Sequence, residues 1–247
     1  MLYLSIIVLL PLSVLVWSAF DNGLQGFWDA VTAPEAFAAL ELTVTLSAIV
    51  AVVNAGMGTL IAWVLVRDRF PGQRILETVI DLPFALPTIV AGIVLIALYG
   101  PRSPVGVDLA YQRSGVLVAL LFVTLPFVVR TVEPVLIELD VEMEQAAASL
   151  GARPSTIFRR VVLPNLIPAI ASGTALSFAR AISEFGATSL ISGNLPMETQ
   201  VSAVQIYSQI ESGSHSAAAA VSTVLLAIAL AVMLSLDVFQ RWARRRG

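Results

Sequence analysis

The chain has no cysteine and no lysine among its 247 residues, and a single histidine, His215. Without thiols there are neither disulfides nor thiolate metal sites, and cysteine usage says nothing about redox compartment. Without lysine there is no Gly-Lys-Ser/Thr phosphate loop, so the chain does not bind ATP in the Walker manner. One histidine and no cysteine also leave no material for a Ser-His-Asp triad or for zinc-ligand spacing. No glycosidase-type carboxylate pair stands out either. Charge is scarce: 13% of residues are charged, against roughly 25% in soluble domains. The net charge of −3 leaves no nucleic-acid footprint. These absences point to a chain with no catalytic residue, no metal site and no cofactor of its own.

What is abundant is apolar sequence, 57% of the chain, arranged in runs long enough to cross a bilayer. The expected spans are about 2–20, 42–66, 75–99, 115–132, 165–191 and 216–239, forming one transmembrane domain over 1–247. The first run lacks a basic lead and a small-residue cleavage site, so it reads as a membrane helix rather than a signal peptide. Residues 21–41 are polar with Phe27, Trp28 and Phe37 interspersed, which suits a loop or short helix at an interface. Asn54, Gly56 and Gly58 in the second run allow close helix contact. Segments 100–114 and 192–214 read as polar loops. His215, with no companion ligands, receives no role.

Several charges fall inside these runs. Asp81 is followed by Pro83 and Pro87, and each proline removes a backbone donor and bends a helix. This stretch reads either as a simple kink or as a broken segment whose freed backbone groups line a cavity. Arg130, with Glu133, reads as an anchor near the membrane boundary, where arginine can snorkel. Arg180 and Glu184 stand four apart, on one face of a continuous helix. Arg180 lies about 20 Å past Ile167, somewhat beyond mid-bilayer, where an isolated charge costs about 2.5–3.5 kcal/mol. It serves either as a fixed positive charge along an anion path, or as a packing partner of Glu184 or Asp81.

The polar segment of about 134–164 interrupts the apolar runs. Gln145 to Leu150 is alanine-rich and therefore helix-forming. Gly151 can take φ > 0 and close that helix, and Pro154 fits the first turn of a second one. Ile157, Phe158, Val161 and Val162 recur on one face of the second limb, and Pro164 and Pro168 are expected to end it. The product is a helix–glycine–helix elbow whose first limb is nearly smooth. Ten of the fourteen arginines lie in 67–74, in the elbow and in the tail. By the positive-inside rule, both termini and the elbow then face the cytoplasm.

The order Glu144-Gln145-Ala146-Ala147, Gly151, then Val161-x-Leu163-Pro164 resembles the cytoplasmic loop of bacterial ABC importer permeases, which reads Glu-Ala-Ala…Gly…Ile-x-Leu-Pro. Here Gln145 stands where that family usually has glutamate, and Val161 where it has isoleucine. The stretches 69–72, 81–88, 126–136 and 184–187 are similar to the T-type permease of sulfate/thiosulfate importers. Ser183 departs from the glycine common in that branch.

The resemblance implies an all-α, six-helix, type I importer permease fold with a helix–Gly–helix coupling loop. It implies sulfate or thiosulfate translocation across the bacterial inner membrane. ATP and Mg would be used by a separate ATPase dimer gripping Glu144, Gln145, Ala146, Ala147, Gly151, Leu163 and Pro164. The other implied partners are a second permease subunit and a periplasmic or lipid-anchored sulfate-binding protein. Asp81, Pro83, Pro87, Arg180 and Glu184 are the candidates for the translocation path. A homodimeric molybdate or tungstate permease is the neighbouring reading. A stand-alone secondary transporter using Arg180, Glu184 and Asp81 as a relay is the reading from another class.

Overall fold

Four helices among the described residues are long and apolar enough to cross a bilayer: Pro34–Arg67, Arg113–Glu138, Pro154–Ile182 and His215–Val238. The computed structural model describes residue 3 and residues 5–244, with side chains through residue 238. Leu2, and the side chains of Arg241, Arg244, Arg245 and Arg246, lie outside the described residues. After a π-helical turn at Ser5–Leu9, the helices run α1 Leu10–Ser18, α2 Gly23–Thr32, α3 Pro34–Arg67, α4 Gln73–Ala85, α5 Thr88–Tyr99 and α6 Arg113–Glu138. They continue as α7 Val141–Ser149, α8 Pro154–Ile157, a second π turn at Phe158–Val162, α9 Leu163–Ile182, α10 Gly186–Ile191, α11 Ser202–Glu211 and α12 His215–Arg244. No strand occurs among the described residues.

Several expected boundaries move. The region after the first span is a helix, α2, set at 92° to the segment before it. The second span begins at Pro34 rather than near residue 42, because a proline fits the first helical turn. The expected 75–99 span is two helices. Leu86 is extended (φ −88°, ψ 134°), the conformation that a following proline imposes, and Pro87 then precedes α5. Pro83, by contrast, sits inside α4 without ending it. The expected 165–191 span is also interrupted: α9 stops at Ile182 and α10 starts at Gly186. The 192–214 loop contains α11.

Pro164 and Pro168 do not end the elbow's second limb. The helix runs unbroken from Pro154 to Ile182. In the π turn the Leu163 N–H donates to the Phe158 carbonyl, five residues back. The Asn165 side chain meets the Val161 carbonyl at 2.6 Å. With the hydrogen-bond register shifted in this way, a proline without an N–H is accommodated at 164.

The chain divides into two compact units. The first comprises Met1–Ala48, Pro87–Leu120 and Ile182–Ala231; the second comprises Ile49–Leu86, Leu121–Ala181 and Val232–Gly247. In lipid, burial of apolar surface gives no net drive for helix association, so close packing and polar contacts must supply it. The second unit shows both. A Cβ at Gly58 would lie 2.7 Å from the Val128 Cβ, and one at Gly173 would lie 2.8 Å from the Val128 Cα. Val128 is thus gripped between α3 and α9. Beside it, the buried Asn54 donates to Thr124 Oγ1 at 2.8 Å and to Ser177 Oγ at 3.3 Å, joining the same three helices. Ala62, Leu65, Val129, Val132, Leu136, Val162 and Leu166 continue this core. Of the expected close-contact positions, Gly56 faces open space instead.

In the first unit Phe27 and Val31 of α2 pack with Ala36, Leu40, Ala219, Ala220 and Val221, and Phe20 stacks on Phe27 at 4.7 Å. The N–H of Ser202 donates to Thr43 Oγ1 at 2.8 Å, seating the start of α11. Helices α5 and α10 approach at backbone distance. A Cβ at Gly92 would lie 2.9 Å from the Ala187 carbonyl oxygen, and one at Gly186 would lie 2.2 Å from Thr88 Oγ1.

Candidate functional site

The elbow is built from signals that agree with one another. Asp140 caps α7, its carboxylate accepting from the Glu142 N–H at 2.8 Å. Glu142 and Glu144 occupy the first turn, where negative charge complements the helix dipole. At the other end Gly151 takes φ +82°. Its N–H donates to the Ala148 carbonyl at 2.9 Å, and the Ala152 N–H donates to the Ala147 carbonyl at 3.1 Å. This pair of bonds is the Schellman closure, which satisfies two carbonyls that a helix end otherwise leaves open. Arg153 is extended ahead of Pro154, which opens α8.

Both limbs are fastened to the end of α3. Arg67 Nη2 and Glu144 Oε1 lie 2.5 Å apart, with side-chain exposures of 18% and 21%. The Arg67 guanidinium sits 5.6 Å from the Trp63 ring centroid, and Trp63 meets Phe158 edge-on at 5.4 Å. The series Glu144, Arg67, Trp63, Phe158 therefore joins the first limb to the second across the last turns of α3. Glu144 is committed to this internal ion pair. Gln145 and Ala146 are exposed, and Ala147 is half-buried. Val141, Met143 and Leu150 are exposed too, Leu150 to 90%. The free face is thus small and apolar at its tip, with the exposed Glu142 one turn before Ala146. Leu163 is half-buried and Pro164 exposed in the first turn of α9.

A second cluster forms in the same unit. Arg130 grips Asp81 with both ends of its fork, Nε to Oδ1 at 2.8 Å and Nη2 to Oδ2 at 2.5 Å. Its Nη1 reaches Glu133 Oε2 at 2.5 Å, and Nη2 reaches the Glu77 carbonyl at 3.4 Å. Two-pronged geometry of this kind is the strongest arginine–carboxylate arrangement. Asp81 therefore pairs with Arg130. Pro83, two residues on, is buried. Arg180 is half-buried in the last turn of α9.

Glu184 and Pro87 belong to the other unit. Because α9 ends at Ile182, Arg180 and Glu184 do not share a face of one continuous helix, and that expectation is corrected. Glu184 instead lies in the break, 2% exposed. Its Oε1 accepts from the Ala187 N–H at 2.8 Å, and its carbonyl accepts from Thr188 Oγ1 at 2.9 Å. An anion placed here complements the start of α10. Pro87 leads into Thr88, the residue against which Gly186 packs. The neighbouring Phe185 meets the Tyr207 ring at 5.4 Å.

The elbow residues were legible because their signals are local. Arg67 and Trp63 carry no such local signal, and the sequence places Phe158 only on the apolar face of the second limb. Arg67 and Glu144 are 77 residues apart, and only the run Arg67-Asp68-Arg69 hinted that charge was concentrated there.

Known proteins can be set beside this geometry. Residues 54–246 match the family described as "Binding-protein-dependent transport system inner membrane component". The "Sulfate transport system permease protein CysT" of Synechocystis sp. is 42% identical over 251 residues, covering 99% of this chain and 88% of its own. The protein of the same name from Salmonella typhimurium is 42% identical, covering 99% and 91%. Among solved structures, a bacterial alginate ABC transporter in complex with an alginate pentasaccharide-bound periplasmic protein matches at TM-score 0.80 and 17% identity, over 97% of this chain and 90% of that one. The MetNI methionine ABC transporter in inward-facing conformations matches at TM-score 0.64 and 18% identity, over 83% and 94%. At such identities these two show the fold alone, an all-helical ABC importer permease fold. A multi-pass membrane protein with a capped helix–glycine–helix elbow and this likeness over nearly its whole length belongs to the family of binding-protein-dependent transport system inner membrane components.

Proposed function

We propose that this chain is the membrane-spanning permease subunit of an ATP-driven importer of sulfate and thiosulfate. One observation carries the substrate class. The likeness to sulfate permeases extends over 99% of the chain, and so includes the membrane helices as well as the elbow. ATP, with Mg, would be bound and hydrolysed by a separate ATPase dimer. That partner would hold the exposed face of α7 and its C-cap, where Gln145, Ala146 and Leu150 offer close approach. Gly151 fixes the turn between the limbs, and Leu163 and Pro164 carry the second limb into α9.

In this reading the elbow, both termini and the basic 67–74 turn face the cytoplasm of a bacterial inner membrane. A second homologous permease completes the pathway, and a periplasmic or lipid-anchored binding protein delivers the anion. Asp81, Pro83, Pro87, Arg180 and Glu184 are the candidates for the path. Arg180 is the group of suitable sign for an anion. Asp81, neutralised by Arg130, does not oppose it with a bare charge.

The test is uptake of labelled sulfate in a strain deleted for this chain, with molybdate as competitor. Restoration by the chain with weak competition by molybdate is expected. Restoration of molybdate uptake alone would instead assign the molybdate branch, as would purification with no distinct second permease. Arg180→Ala should lower sulfate uptake with the complex intact. Loss of the folded complex would give Arg180 a packing role.

A further inference from the structure

Beside the elbow's second limb lies a cavity of about 640 Å³, whose walls include Gly56, Leu60 and Trp63 of α3, Phe158 of the π turn and Ile170 of α9. Its lining is almost wholly apolar. It adjoins a second cavity of about 450 Å³ lined by Ser155, Thr156, Arg159 and Arg160, and Ser155 belongs to both. Arg159 and Arg160 are exposed. Among the described residues neither takes part in a salt bridge, unlike Arg67 and Arg130. An apolar slot thus opens at one end onto two uncompensated guanidinium groups and two hydroxyls.

From residue 55 to residue 63 α3 rises about 12 Å, so the slot takes a good part of an acyl chain along the helix. Trp63 stands at its basic end, as aromatic side chains do where a bilayer meets water. A soluble anion would leave the slot unused, and a neutral lipid would leave the arginines unused. A single molecule that satisfies both ends has a hydrocarbon tail and an anionic headgroup. Basic pockets at the cytoplasmic ends of membrane helices are suited to such headgroups.

We infer that the slot between α3 and the elbow's second limb is a binding site for an anionic phospholipid. Its acyl chain lies along Gly56, Leu60 and Trp63, and its phosphate meets Arg159, Arg160 and Ser155. A lipid held there braces Phe158 and Ile170 against α3 from the open side. The inference rests on the membrane-edge placement of the elbow proposed above. It does not depend on the identity of the transported anion.

The test is native mass spectrometry of the purified complex, reconstituted in an equal mixture of dioleoylphosphatidylglycerol and dioleoylphosphatidylcholine. Retention of phosphatidylglycerol over phosphatidylcholine is expected. Arg159→Gln with Arg160→Gln should lower that preference roughly 10–30-fold, from two basic side chains at the headgroup. Arg159→Lys with Arg160→Lys should keep most of it. A Cβ at position 56 meets nothing within 4 Å, so Gly56→Phe starts from open space beside the slot and should reduce phosphatidylglycerol retention with both arginines present.

Equal retention of the two lipids would overturn the site, as would indifference to the Gln pair. Displacement of phosphatidylglycerol by inorganic phosphate would show a simple anion site and overturn the acyl slot. The chain has no cysteine, so Thr59→Cys places one thiol of this subunit in the slot. Its efficient crosslinking to the second permease would show that a protein covers the groove, and would also overturn the proposal. Retention is read without ATP or sulfate, so failure here and failure of the transport reading are separate results.

Discussion

Replacing Gly151 isolates the contribution of one backbone angle to the elbow. The residue takes φ +82°, and a Cβ built there meets nothing within 4 Å, so no steric clash enters the account. What remains is the intrinsic disfavour of the left-handed conformation, about 1–2 kcal/mol for an L-residue. That corresponds to a factor of about 5–30 in the population of the closed turn. Gly151→Ala should show this cost nearly alone. Gly151→Val should exceed it, because a β-branched side chain adds its own restriction. Gly151→Asn should fall well below it, since asparagine tolerates this region. The direct assay is amide exchange at residues 151 and 152, whose N–H groups close the turn on Ala148 and Ala147. Exchange should accelerate about 5–30-fold in the alanine variant, while Val128 and Val129 in the core stay protected. Sulfate taken up per ATP hydrolysed should decline in the order Gly, Asn, Ala, Val. Equal acceleration by Asn and Val, or normal transport by Gly151→Val, would refute the reasoning.

Arg67→Gln and Glu144→Gln should each loosen the elbow, and a double-mutant cycle on thermal unfolding should give a coupling of about 0.5–1.5 kcal/mol for a partly exposed pair; a coupling near zero would remove the clamp. Arg130→Met leaves Asp81 and Glu133 without their shared cation and should destabilise the protein by about 1–2 kcal/mol, since the cluster is partly exposed, read as a fall in melting temperature in detergent. Asp81→Asn should cost less, because it leaves Arg130 paired with Glu133. Gly186→Ala forces a methyl group to 2.2 Å from Thr88 Oγ1 and 2.8 Å from the Ile89 nitrogen. It should destabilise by about 1–3 kcal/mol, and Thr88→Ala should rescue it only in part, because the backbone contact remains.

The elbow was readable because each of its instructions is local: an alanine run, a glycine at the position needing φ > 0, and a proline at the first helical turn. The helix breaks were harder, since hydropathy continues through them. Pro83 and Pro87 carry the same chemistry four residues apart, yet one lies inside α4 and the other precedes α5. Pro126, Pro134 and Pro168 likewise sit inside helices. Proline marks where a helix can break, while the surrounding contacts decide whether it does. At the break before Gly186 the close neighbour is Thr88, far away in sequence. The pairings of Arg67 with Glu144 and of Asp81 with Arg130 span 77 and 49 residues, beyond the reach of periodicity. The charges were visible in the sequence, but their partners were not.

The run from Pro154 to Ile182 covers 29 residues, about 43 Å of helix. Within it lie the π turn, Pro164 and Pro168, features at which helices bend, yet the run stays helical throughout. The π turn stores one surplus residue in that run. Deleting one residue between 158 and 162 would return the stretch to α-helical register and remove the shifted hydrogen bond that leaves room for Pro164. A helix that passes this proline without breaking thus depends on one extra residue in the turn before it.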